Sequence, residues 1–134
     1  STGAPNQDTY SMTRAPGDTT VYCVCDGHGA LGHLVAFRVA QSLPKFVLEG
    51  LQDADPSHPS ENILAQAFEA AAAELRSFAD GEDLDISASG ATVSCALRQG
   101  DDVVVAWLGD CRALVATVAG EYRRGDLFGE AHRA

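Results

Sequence analysis

The most regular pattern of apolar positions lies between residues 61 and 79. Leu64, Phe68, Ala71, Leu75 and Phe78 recur at alternating steps of four and three, a single stripe that packs one helix face into a core. Ser60 precedes it as a good N-cap, with Glu61 in the favoured acidic first turn. An earlier helix is expected from Gly32 to about Leu43, carried by Leu34, Val35, Val39 and Leu43. Pro44 should end or kink it, and Phe46–Leu51 would add a second turn or two. Between the helices, Gln52–Pro59 is a polar, proline-containing loop.

Elsewhere the period belongs to strands. Thr19–Cys25 is β-branched and apolar, a buried strand, and residues 9–13 form a shorter one. Arg14-Ala15-Pro16-Gly17-Asp18 is the turn between them. After the second helix, Ala91–Leu97, Val103–Leu108 and Ala113–Val118 are three more strand segments. They are separated by short turns at Gln99–Asp102 and Gly109-Asp110, which imply antiparallel neighbours, and Gly120 marks a further turn. Val103–Leu108 is apolar on both parities, so both its faces should be covered, with Trp107 in the core. The order strand, helix, helix, strands is that of an α+β fold with helices packed on an antiparallel sheet.

Composition narrows the class. The 134 residues suffice for one domain with a core, and 46% hydrophobic with 21% charged is ordinary for a globular chain. A net charge of −10 argues against nucleic acid or an anionic membrane surface as the main partner. No apolar run is long enough to span a bilayer, and no secretory signal opens the chain, which begins STGAPNQD as if cut from something longer. Cys23, Cys25, Cys95 and Cys111 lack zinc-site spacing and read as reduced core thiols, suiting an intracellular protein of cytoplasm or nucleus. None is followed six positions later by Arg, so a cysteine-nucleophile phosphatase loop is absent. Asp80, Glu82, Asp83 and Asp85 cluster without EF-hand spacing and read as a solvated loop.

The chemistry concentrates in VYCVCDGHGALGHLVA, residues 21–36. Gly27, Gly29 and Gly32 spell GxGxxG after a strand and before a helix, as a dinucleotide loop requires. However, Asp26 stands where a pyrophosphate would approach, the later strands are hairpins, and no second strand ends in an acid about twenty residues on. A P-loop fails because His33 occupies the place of its Lys. A metal site fits better. Asp26 closes a buried strand, Gly27 exposes a backbone carbonyl to a hard cation, and His28 stands beside it, able to give or take a proton. The plain alternative is an Asp-Gly turn with an incidental histidine.

Three further segments accompany this one in order: Asn6-Gln7-Asp8 before it, then Ser89-Gly90-Ala91-Thr92, then a hydrophobic strand closed by Gly109-Asp110-Cys111-Arg112-Ala113. Together, from residue 5 to about 118, they resemble the type 2C, metal-dependent (PPM) serine/threonine protein phosphatases, in the DGHGxxGHxVA form of plant and protist members. Leu127–Arg133 is similar to a degraded LTxDHxP segment of that family.

The resemblance implies a four-layer α-β-β-α sandwich with two Mn²⁺ or Mg²⁺ ions at its edge. It implies that Asp26 bridges both ions, that the Gly27 carbonyl binds one of them, that Asp8 lies beside the metal waters and that Asp110 serves a third, weaker metal. It makes His28 the general acid for the leaving alkoxide and a metal-activated water the nucleophile. The implied substrate is a phosphoserine or phosphothreonine protein. Gln7 departs from a common Glu, Ala30 from Gly or Pro, and Cys111 from the usual Ser; the phosphate-binding arginine of many members has no match here. The DG- and DN-type aspartates of the family's second half are also unmatched. Residues 1–134 are thus expected to be a single, incomplete catalytic domain with exposed strand edges open to association. The competing expectation is a non-catalytic binding module of the same fold, with a nucleotide-binding protein a distant third.

Overall fold

A computed structural model of the chain describes residues 3, 5–116 and 122–123, the pairs 115–116 and 122–123 as strand backbone. Four strands, β1 (Asp8–Ala15), β2 (Thr19–His28), β3 (Gly90–Gln99) and β4 (Asp102–Leu108), form one antiparallel sheet in the order β1-β2-β3-β4. Two helices, α1 (Gly32–Asp53) and α2 (Ser60–Gly81), cover one of its faces. A separate pair, β5 (Val115–Ala116) and β6 (Tyr122–Arg123), follows. This is the expected α+β arrangement, of which the described residues make one sheet layer and one helix layer. The Gly120 turn and the Leu127–Arg133 segment lie outside the described residues.

Alternation sets the core. Val21, Cys23 and Cys25 of β2 and Val93, Cys95 and Leu97 of β3 point inward, all at most 4% exposed, and meet Val39, Leu43 and Val47 of α1 and Leu64 of α2. The helices touch closely where Gly50 leaves no room: a Cβ there would lie 2.9 Å from Ile63 Cγ2.

Several expected boundaries move. β2 does not stop at Cys25 but runs to His28, because β3 supplies partners through Gly90 and the Gln7 carbonyl accepts from the Gly27 N–H at 3.1 Å. Pro44 does not break α1, which continues to Asp53. Pro59, not Ser60, is the N-cap of α2; Ser60 is the first helical residue and its hydroxyl meets Gln99 Oε1 at 3.3 Å. β4 is covered on its outer face only in part: Val105 there is 8% exposed, but Val103 is 55% exposed and Trp107 is half-buried. Of the segment 113–118, strand is described only at Val115–Ala116.

The exposed apolar surface is a face, not only an edge. Tyr10 and Met12 on β1, Tyr22 and Val24 on β2 and Val103 on β4 point away from the helices and are all at least 40% exposed. They alternate with the inward residues, so the helix layer cannot reach them.

Candidate active site

Asp8 opens β1, and Asp26 lies near the end of β2. The two are direct partners across the antiparallel pair, with both side chains exposed on the face opposite the helices. His28, two residues on from Asp26, shares that face and is also exposed. Its ring lies over Gly90 of β3: a Cβ at Gly90 would fall 2.8 Å from His28 Cε1 and Nε2. The glycine of the SGAT segment therefore makes room for the imidazole.

Gly27 is held by closeness of backbone. A Cβ on it would collide with the Gly32 carbonyl and come within 2.9 Å of the Gln7 carbonyl. At Gly29 the chain turns with φ +83° against Ala88 and Ser89. Two side chains fasten this turn. Gln7 donates through Nε2 to the Gly29 carbonyl at 3.0 Å, and Ser89 accepts from the Leu31 N–H at 3.0 Å. The amide of Gln7 thus clamps the loop that follows His28. Ser89 was visible only as part of a motif, and its tie to Leu31 depends on a contact 58 residues apart that no local pattern signals.

Asp110 follows β4 in an exposed turn, after Gly109 at φ +89°. Gly109 packs on Thr92, where its Cβ would lie 2.9 Å from Thr92 Cγ2, and Thr92 is the β3 partner of Asp26. Asp8, Asp26, His28 and Asp110 thus belong to one end of the sheet, with Asp8 and Asp26 adjoining. Among the described residues no three His, Cys, Asp or Glu side chains converge in a cluster able to hold a metal. Near the same loop, His33 Nδ1 is buried without a hydrogen-bond partner among the described residues.

Behind the site, Cys23 and Cys25 are held as protonated thiols. Burial pushes the Cys25 thiol up to about 12, with Cys23 and Cys111 adding to it, and Cys23 is raised further by its hydrogen bond with Cys95. No helix of the described residues is long and apolar enough to cross a membrane.

Residues 1–133 match the family described as protein phosphatase 2C. A rice (Oryza sativa) probable protein phosphatase 2C 64 is 36% identical over 104 residues, 75% of this chain and 24% of that protein. An Arabidopsis thaliana relative, probable protein phosphatase 2C 72, is 34% identical over 119 residues, 84% of this chain and 36% of that protein. The mitochondrial protein phosphatase 1K of Xenopus laevis is 33% identical over 129 residues, covering 92% of this chain and 31% of that protein. Among solved structures, a C. elegans sex-determining protein superposes with a TM-score of 0.67 at 26% identity, covering 79% of this chain and 27% of that one. A bacterial serine phosphatase gives 0.71 at 24% identity, 89% and 53%. The chain spans about a quarter to a third of the length of the curated relatives it matches.

Proposed function

The chain belongs to the protein phosphatase 2C family, and we propose that it carries part of a metal-dependent site that hydrolyses phosphoserine and phosphothreonine in proteins. The observation that supports this most is the pairing of Asp8 with Asp26 across β1 and β2. Two exposed carboxylates on rigid neighbouring strands, next to a backbone carbonyl at Gly27, are hard oxygen donors of the kind Mg²⁺ and Mn²⁺ take. They fit such cations in kind; further oxygens are needed to fill two coordination spheres. In this reading Asp26 would reach both ions, the Gly27 carbonyl and Asp8 would complete their near side, and Asp110 would serve a weaker third position. When bound, the cations supply an acidified water for attack on phosphorus and neutralise the phosphate charge.

The chain's own residues do the rest. The sheet holds the backbones of both aspartates in fixed register, so less ordering entropy is lost on loading than from a loop. Gln7 and Ser89 pin the turn after His28, and Gly90 leaves its imidazole free to approach the seryl or threonyl oxygen that leaves. Protonated, His28 gives that oxygen its proton as the P–O bond breaks. A net charge of −10 disfavours nucleic acid as the substrate and suits a phosphoprotein bound through cations.

A second reading, a non-catalytic module of this fold, is favoured by one observation: only two carboxylates meet among the described residues. One experiment separates them. Mn²⁺ binding by calorimetry is expected from the chain and weakened in Asp26→Ala, and any Mn²⁺-dependent release of phosphate from a phosphothreonine peptide should be lost in Asp26→Ala and lowered about 100-fold or more in His28→Ala. If wild type and Asp26→Ala are equally silent and bind Mn²⁺ equally weakly by calorimetry, the chain is no phosphatase on its own and the binding reading stands.

A further inference from the structure

At the end of the sheet remote from Asp26, two arginines stand in one rank. Arg14 of β1 pairs with Thr20 of β2, and Thr20 pairs with Arg98 of β3. Both arginines and Thr20 line a hollow of about 200 Å³, together with Asp18 and Tyr22. Thr20 is only 5% exposed, although it is a polar residue on the face opposite the helices.

The walls are built rather than incidental. Gly17 and Asp18 turn at φ +78° and +52°, and the Asp18 carbonyl accepts from the Gly100 N–H at 3.1 Å, which locks the β1–β2 turn to the β3–β4 turn. The Asp18 carboxylate accepts from Arg98 Nη2 at 3.0 Å. That bond occupies one edge of the Arg98 fork. Arg14 has no carboxylate partner among the described residues. Two arginines therefore line the hollow with one aspartate. Asp101 and Asp102, exposed on the adjoining turn, weaken the local field without lining the hollow. The other acids of the chain are screened beyond about 8–10 Å at physiological salt.

We propose that this hollow is an oxyanion site, built for a phosphate group held by the Arg14 fork, the free edge of Arg98 and the Thr20 hydroxyl. Planar, always-charged guanidinium forks bind phosphate oxygens bidentately, and two of them flanking a hydroxyl is the chemistry such a group takes. A space of 200 Å³ suits a single phosphate group, being smaller than pockets that enclose drug-sized ligands, roughly 300–1,000 Å³. From Thr20 to Asp26 is six residues of strand, roughly 20 Å at 3.3 Å per residue. One phosphate cannot reach both, so this site is separate from the Asp8–Asp26 end and does not depend on the activity proposed for it.

The test is an amide NMR titration of the ¹⁵N-labelled chain with sodium phosphate, at constant ionic strength and with EDTA present. Saturable shifts centred on residues 14, 19–20 and 98 are expected. Arg14→Gln, an exposed position whose change leaves the spectrum dispersed, should raise the half-saturating concentration tenfold or more. Asp18→Asn, which keeps a residue tolerant of positive φ, should lower it. Linear shifts, shifts unaltered in Arg14→Gln, or shifts centred on Asp8, Asp26 and His28 would overturn the proposal. Equal saturation by acetate would overturn the assignment to phosphate.

Discussion

The Ser11 hydroxyl donates a 2.7 Å hydrogen bond to the carbonyl of Ala40, the group that Pro44 leaves without its helical N–H. A proline four residues on removes the donor that an α-helical carbonyl needs, and a buried carbonyl without a partner costs about 1–3 kcal/mol. β1 supplies the missing donor from the sheet. α1 therefore runs through its proline, and the sheet and helix are tied at the point where the helix is weakest. Ser11→Ala is expected to destabilise by about 1–2 kcal/mol in urea unfolding. In Pro44→Ala the backbone N–H returns, and the Ser11→Ala change should then cost much less. An unchanged cost in the double-mutant cycle would separate the two residues.

Gly27 is expected to be intolerant of any side chain. Its Cβ would meet backbone, the Gly32 and Gln7 carbonyls, and backbone cannot swing aside as a side chain does. Gly27→Ala should cost about 2–3 kcal/mol or more and loosen hydrogen-exchange protection at Gly27 and Gly32. Gly81 closes α2 with nothing within 4 Å of its would-be Cβ, so Gly81→Ala should be neutral or stabilising by up to about 1 kcal/mol. Equal effects of the two substitutions on the urea midpoint would show that space at Gly27 is not limiting.

Much of this architecture was legible locally. The stripe Leu64, Phe68, Ala71, Leu75 and Phe78 marks α2, and Leu64 and Ala71 are buried as it requires. A hairpin turning at Gly17 already sets the register that places Asp8 opposite Asp26. What stayed hidden depends on contacts between distant segments. Pro44 reads as a helix end because its compensation comes from Ser11. Gln7 reads only as a departure from a common Glu because nothing near it in sequence shows that the Gly29 carbonyl takes its amide. The residues of β4, apolar on both parities, suggest two covered faces, yet pattern alone cannot say which neighbour supplies the second cover.

The buried thiols predict an alkaline limit to stability. In the unfolded chain each thiol ionises near 8.5, whereas burial holds Cys25 protonated up to about 12 and Cys23 is raised as well. A raised thiol pKa favours the folded state fully below the unfolded value. That advantage is lost as pH climbs from about 9 toward the folded value, because only the unfolded chain releases the protons. Stability should fall by about 1.4 kcal/mol per pH unit for each such thiol. Urea midpoints under reducing conditions between pH 8 and pH 10.5 measure this slope. Cys25→Ala should lower the slope by one proton while costing some packing, and an unaltered slope would mean that Cys25 does not drive it.

The two faces of the sheet should respond oppositely to substitution. Leu43, fully buried between α1 and the sheet, should cost about 2–5 kcal/mol when cut to Ala, the sum of lost transfer energy and the cavity left behind. Val24 lies on β2 in the same sheet, yet it is 60% exposed on the face away from the helices. Val24→Thr keeps the β-branched shape that a strand prefers and removes little buried area, so its effect should stay within about 0.5 kcal/mol. The same change interrupts the apolar patch that Tyr10, Met12 and Tyr22 share with it. Binding of a hydrophobic dye and any concentration-dependent association seen by sedimentation should therefore fall without a matching loss of stability. A cost for Val24→Thr near that of Leu43→Ala would place the outer face in a buried layer in solution and make Val24 a core residue.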